Sequence, residues 1–308
     1  MPGSEIRYPR KVRIVEVGPR DGLQNESGLV SVEDKLSLIE GLVDAGLTTV
    51  EAGSFVSPKW VPQMAGTTQV FERLTRVPGV TYPVLVPNLK GLDLALDSGV
   101  KKIAIFAAAS ESFSQRNINA SIAESLSRLR AVAERALSQG LKVRGYVSCA
   151  LGCPYEGKVQ PEEVARIAAE LHAMGCDEIS LGDTIGIGTP VRVQAMLRVV
   201  SACVPLHTLA VHFHDTYGQA LANILASLQM GIAVVDSSVA GLGGCPYAPG
   251  AGGNVATEDV VYMLHGMEIE TGVNLDKLAA VGRNIAARLG RPLASKVAIA
   301  LAARLPDR

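Results

Sequence analysis

A short run rich in β-branched and apolar residues, followed by a stretch with helical spacing, recurs eight times along these 308 residues. The runs are Val12 to Val17, Thr48 to Ala52, Thr81 to Val86, Lys102 to Ala107, Lys142 to Ser148, Glu178 to Leu181, Leu209 to His214 and Val234 to Val239. Between them lie patterns such as Ser121 to Gln139 and Pro161 to Met174, with Gly140 and Gly175 just beyond their ends. Strands that alternate with helices must run parallel, with the helices covering the sheet. Eight units over about 250 residues suit the closed (β/α)8, or TIM, barrel. An open doubly wound sheet needs a Gly-rich first turn that this chain lacks. The expectation is an α/β chain forming one catalytic domain over residues 1–308. Its barrel would span about 12–265, with a helical extension over about 274–305 packed outside the barrel or against a partner subunit.

Composition narrows the partners. The 29 basic and 30 acidic residues leave a net charge of −1, without the electrostatic footprint of a nucleic-acid binder, so a neutral or anionic small molecule is expected. Hydrophobic residues make up 48% of the chain, yet no apolar run approaches the roughly 20 residues that span a membrane. The segment Met1 to Arg10 lacks the apolar core of a secretory signal, and a cytoplasmic location is expected. Five scattered cysteines, Cys149, Cys153, Cys176, Cys203 and Cys245, argue against a disulfide framework. The first four read as buried small hydrophobes; Cys245, in the glycine-dense stretch Gly241 to Tyr247, reads as functional.

A barrel gathers the carboxyl ends of its strands at one mouth, so the polar residues there can meet. The first strand ends in Gly18-Pro19-Arg20-Asp21-Gly22, the second carries Glu51, the sixth leads into Gly182-Asp183-Thr184, and the eighth opens onto Cys245 and Asn254. The seventh holds His212 and His214, which at a spacing of two share one face of a strand, close enough to share an ion. A pair of buried, hydrogen-bonded histidines is the plain alternative for His212 and His214, and structural salt bridges are the plain alternative for Glu51 and Asp183. Imidazole, carboxylate and amide oxygen together suit Mg²⁺ or Mn²⁺, and catalytic zinc is also compatible.

Several long motifs in order then resemble the 3-hydroxy-3-methylglutaryl-CoA lyase family of the DRE-TIM metallolyase superfamily. They are Val15 to Glu26 (VEVGPRDGLQNE), Ser54 to Met64 (SFVSPKWVPQM), Gly182 to Gly186 (GDTIG), His212 to Gly218 (HFHDTYG) and Gly241 to Ala248 (GLGGCPYA). The resemblance runs from about Val12 to Lys296. It implies cleavage of 3-hydroxy-3-methylglutaryl-CoA to acetoacetate and acetyl-CoA, and a homodimer or larger homo-oligomer. It also implies Asp21, His212, His214 and Asn254 as metal ligands, with Arg20, Glu51, Asp183 and Cys245 as catalytic or supporting groups.

The chemistry can be set against these residues. Breaking the C2–C3 bond removes the C3 hydroxyl proton and leaves enolate character on the thioester. Arg20, a permanent cation, suits the developing enolate oxygen. Cys245 is the candidate proton donor, because an ordinary thiol is mostly protonated at neutral pH. Asp183, a liganding histidine and Asp21 are all conceivable general bases. Glu51 would orient Arg20 or the ligands, and Arg144 would hold the substrate carboxylate or pair with Glu51. Ser110 to Asn119 is a candidate CoA contact. Ordinary barrel-interior pairing for Arg144 and loop pairing for Ser110 to Asn119 are the plain alternatives; Trp60, Tyr8 and Tyr262 read as packing.

Departures and rivals bound the reading. Ser27-Gly28 stands where some family members carry Lys-Asn, which removes any phosphate contact from a lysine there. Leu305-Pro306-Asp307-Arg308 is neither a peroxisomal tripeptide nor a cysteine terminus. A condensing sibling such as isopropylmalate synthase would lack the Gly-Gly-Cys-Pro-Tyr loop. A lyase for a longer branched 3-hydroxyglutaryl-CoA would keep it, and an inactive scaffold would show a missing ligand or acid.

Overall fold

The computed structural model of the chain describes residues 7–26, 28–244 and 252–304. Eight parallel strands form a single sheet: β1 (Arg13–Glu16), β2 (Gly53–Ser54), β3 (Val84–Leu85), β4 (Lys102–Ala108), β5 (Lys142–Ser148), β6 (Glu178–Asp183), β7 (Leu209–Phe213) and β8 (Val234–Ser237). Neighbours in sequence are neighbours in the sheet, and β8 pairs with β1. A parallel bridge between Glu16 and Val50 closes the ring, with the Glu51 amide donating to the Glu16 carbonyl at 2.9 Å. This is the expected barrel.

Ladder pairing in β2 and β3 is shorter than the runs Thr48 to Ala52 and Thr81 to Val86. The Val50 and Ala52 amides still donate to the Thr81 and Pro83 carbonyls, at 3.0 and 2.9 Å. Pro83 has no N–H to return, so the ladder is interrupted at its centre. The helices follow their local signals more closely. Ser121 caps the helix Ile122–Ser138 through a capping box with Glu124, and Pro161 opens Pro161–Ala173 from the first turn, where its missing N–H costs nothing.

Strand alternation gives the molecule two interiors. Residues such as Ile103, Val143, Ile179, Val211 and Val235 point outward into one continuous apolar layer beneath the helices. The inward faces carry Arg144, Tyr146, Glu178, Ser180, His212 and Asp236, all buried. The helix Leu275–Leu289 packs outside the barrel against the helix Val32–Asp44 and the turn Val239–Gly241. Asp259 ties in the last helix, Lys296–Ala302, by accepting from Ser295 Oγ at 2.7 Å and the Val297 amide at 2.8 Å.

Two expectations are corrected. Cys203 is exposed, unlike Cys149, Cys153 and Cys176, because it follows the end of the helix Pro190–Ser201 at the surface. Trp60 (85% exposed) and Tyr262 (62%) lie at the surface rather than in the packed interior, and Tyr8 (38%) is only partly covered. No described helix is long and apolar enough to cross a membrane.

Candidate active site

After β1 the chain makes a π-helical turn, Gly18–Gly22, in which the Gly22 amide donates to the Val17 carbonyl at 3.1 Å. Such turns are uncommon and are frequently found at functional sites. This one sets Arg20 and Asp21 side by side at the mouth. A Cβ on Gly22 would lie 2.6 Å from Ser238 Oγ and 2.8 Å from Leu242 Cβ, so only glycine lets the turn approach the β8 loop. On the facing side, a Cβ on Gly253 would sit 2.2 Å from the Gly243 carbonyl oxygen. That contact fixes the backbone leading into Asn254, which bridges to His214 in antiparallel pairing.

Asp21, His212 and His214 each offer a ligand atom, all within 4.8 Å of one another. The Asp21 carboxylate lies 3.8 Å from His212 Nε2 and accepts from Asn254 Nδ2 at 2.8 Å and Arg20 Nη1 at 2.8 Å. Burial alone would raise its pKa, but Arg20, His212 and His214 outweigh that and lower it to about 2. Burial, reinforced by His212, lowers His214 to about 4, so it is neutral at physiological pH, as a ligand must be. Its Nδ1 is buried and has no hydrogen-bond partner of normal geometry among the described residues. A carboxylate, a neutral imidazole with an unsatisfied nitrogen and a second imidazole fit a divalent cation.

Arg20 is fixed from both sides. Its Nε donates to Glu51 Oε2 at 2.8 Å, Glu51 also accepts from the Tyr146 hydroxyl at 3.2 Å, and the guanidinium lies 5.5 Å from the Tyr146 ring centre. Burial would lower the Arg20 pKa, but Glu51 and Asp21 hold it above its ordinary value, so it stays a cation. Glu51 is fully buried, and its Oε1 has no hydrogen-bond partner among the described residues.

The structure therefore brings Arg20, Asp21, Glu51, His212, His214 and Asn254 together. Asn254 presents its amide nitrogen to Asp21 and to the Leu242 carbonyl. Cys245, and Ser27 in the loop after Glu26, lie outside the described residues.

Two residues are placed elsewhere. Arg144 takes its ion-pair partners in the barrel interior and forms no ion pair with Glu51 among the described residues. It is 1% exposed, donates Nη1 and Nη2 to Asp236 at 3.0 and 2.6 Å, and donates Nε to Glu178 at 2.6 Å. Asp183 shares the outward face of β6 with Ile179 and Leu181, and its oxygens accept from the Ile187 and Gly188 amides at 3.2 and 2.7 Å. It braces its own loop rather than joining the ligand cluster. Ser110 likewise has local work: it caps the helix Glu111–Ile118 by accepting from the Phe113 amide, and donates to Cys153 Sγ at 3.0 Å.

Sequence reasoning passed over Asp236, Ser180 and Tyr146, although a carboxylate at an inward position of the apolar run Val234 to Val239 was a visible signal. It also passed over Glu16 and Glu258. Glu16 Oε1 accepts from the Gly18 and Val239 amides at 2.8 and 2.9 Å, and Oε2 accepts from Thr257 Oγ1 at 2.6 Å. Glu258 accepts from the Ala240 amide at 2.9 Å. Burial raises their pKa values to about 7 and about 8.

A closed parallel barrel with two imidazoles, a carboxylate and an anchored arginine at its mouth defines a barrel enzyme with a site for a divalent cation. The chain matches the HMGL-like family over residues 11–285, and it belongs to that family. It is 60% identical over 299 residues to "3-hydroxy-3-isohexenylglutaryl-CoA/hydroxy-methylglutaryl-CoA lyase" of Pseudomonas aeruginosa, covering 97% of this chain and 100% of that protein. It is also 60% identical over 290 residues to the mitochondrial hydroxymethylglutaryl-CoA lyase of Homo sapiens, covering 94% of this chain and 89% of the human protein. The crystal structure of hydroxymethylglutaryl-CoA lyase from Pseudomonas aeruginosa superposes with a TM-score of 0.95 at 60% identity, over 97% of this chain and 99% of that one.

Proposed function

We propose that this chain cleaves 3-hydroxy-3-methylglutaryl-CoA to acetoacetate and acetyl-CoA, with Mg²⁺ or Mn²⁺ held by Asp21, His212, His214 and, after rotation of its amide, Asn254. The observation that carries the reading is the placement of Arg20 directly beside the Asp21–His212–His214 cluster, at 2.8 Å from Asp21. A cation held by these residues would act as a Lewis acid that eases loss of the C3 hydroxyl proton and would offset the charge of the substrate carboxylate.

The residues of the chain divide the remaining work. In the cleavage, the C3 hydroxyl loses its proton, the C2–C3 bond breaks, C3 becomes the ketone of acetoacetate, and the electron pair moves onto the thioester as an enolate. Two of the five Arg20 N–H donors are engaged by Glu51 and Asp21, and the guanidinium donates to the enolate oxygen with the others. Glu51 and Tyr146 hold that guanidinium in place. Cys245 then gives its thiol proton to C2, completing acetyl-CoA. The general base is a group of the Asp21–histidine cluster, since the Asp183 carboxylate is committed to loop amides.

The same reading takes the chain as one catalytic domain, supported by the hydrogen bonds that Asp259 accepts from the start of the last helix, and as a homo-oligomer, supported by family membership. The name of the Pseudomonas relative favours a second substrate, the thioester with an isohexenyl branch at C3. The deciding experiment incubates metal-stripped protein with each thioester, with and without Mg²⁺ or Mn²⁺, and follows acetoacetate and acetyl-CoA. Metal-dependent acetoacetate supports the proposal, whereas acetyl-CoA from the branched thioester alone would replace the substrate. No product from either would overturn it.

A further inference from the structure

One side of His212 faces the ligand cluster and the other faces the barrel interior. Its Nε2 is the atom toward Asp21, and its Nδ1 lies 3.2 Å from Asp236 Oδ2. Asp236 has no freedom to turn away. Arg144 grips both of its oxygens, Ser180 Oγ donates to Oδ2 at 2.8 Å, and the side chain is buried. Arg144 is in turn held by Glu178, which also pairs with Arg13 at the far end of the barrel. An ionised carboxylate can only accept, so the proton between these two groups belongs on Nδ1, leaving the lone pair of a neutral His212 on Nε2.

We propose that Asp236 is a positioning residue that fixes His212 in its Nδ1–H tautomer, so that Nε2 is presented to the cation site before any ion arrives. The inference rests on the metal reading of the site and extends it to the barrel interior, where Arg144 and Ser180 hold Asp236. Arg144 donates to both Asp236 oxygens and Ser180 Oγ donates to one of them, an arrangement of donors that fits a carboxylate acting as acceptor. Ligating histidines commonly hand their second N–H to a carboxylate, and loss of that partner typically weakens metal binding by about ten- to a hundredfold.

The test uses full-length protein labelled with ¹⁵N-histidine and stripped of metal, at a pH where the imidazoles are neutral, with His212→Gln to assign the signals. The wild type should show His212 as the Nδ1–H tautomer. Asp236→Asn places an amide that can donate to Nδ1, so the proton should move to Nε2, Mn²⁺ affinity should fall about ten- to a hundredfold, and kcat should fall more than KM rises. An Nε2–H tautomer in the wild type, or an Asp236→Asn protein with unchanged tautomer and Mn²⁺ affinity within twofold, would overturn the proposal. If Asp236→Asn does not fold, the wild-type spectrum and Ser180→Ala, which removes one hydroxyl, decide it: Ser180→Ala should increase exchange between tautomers. The tautomer is read without ion or thioester, so failure of the cleavage assay would count against the proposed reaction and not against this assignment.

Discussion

The two faces of β6 and its neighbours contrast within one or two residues. Outward, Ile179, Val143 and Val211 pack into the apolar layer under the helices, where any side chain of similar volume satisfies its neighbours. Inward, Arg13, Glu178, Arg144, Asp236 and His212 form a chain of charge-assisted contacts along the barrel, ending at Asp21 and, through Arg20, at Glu51. Most members serve two partners at once, so removing one leaves its buried neighbours under-compensated. The outer layer makes the barrel; the inner column gives its mouth a defined arrangement of donors.

That contrast makes claims that can be broken. The largest effect is expected from His212→Ala, which deletes a ligand: acetoacetate formation should fall by at least about four orders of magnitude, while circular dichroism shows an intact fold. Activity within tenfold of wild type would remove His212 from the chemistry. Arg20→Ala should lower kcat by about a thousandfold, corresponding to about 4 kcal/mol of lost enolate stabilisation. An equal rise in KM with kcat unchanged would reassign it to substrate binding.

On the outer face, Ile179→Val should cost about 1 kcal/mol in urea unfolding and leave turnover per folded molecule unchanged. A loss of turnover there would mean that the two interiors are not independent.

The smallest expected effect concerns pH. Glu258 is raised from 4.5 to about 8 and Glu16 to about 7, so across that window the folded state binds more protons than the unfolded chain. Their contribution is therefore fully present below about pH 4.5 and is lost as pH rises toward 8. Asp21 runs the other way: lowered to about 2, it stabilises above its ordinary value of 3.8 and loses that contribution as pH falls through that range. Glu258→Gln should flatten the decline of thermal stability between pH 5 and 8, and an unchanged slope would mean that Glu258 is ionised when folded.

Much of this organisation was legible in the chain. Eight alternating patterns specify the barrel, and the His-x-His spacing places both imidazoles on one inward face, because alternation along a strand is a local rule. The same rule, applied to Glu178, Ser180 and Asp183, puts Asp183 on the face opposite Glu178 and Ser180, apart from the ligand cluster. Pro83 likewise announced the interruption between β2 and β3. The motif at Val15 to Glu26 carried the family, and with it the expectation that Arg20 and Asp21 act together.

What the sequence determined alone is therefore the fold, the family and the grouping of Arg20, Asp21, His212 and His214, since each depends on periodicity or on contiguous motifs. Only the tertiary structure decided which partner each buried charge takes. Arg144 could have met Glu51, a substrate or Asp236, and nothing local distinguishes these. The choice depends on the register between β5, β6 and β8 and on the alternate faces they present inside the closed ring, where a charge is stable only against whichever opposite charge the barrel brings within reach.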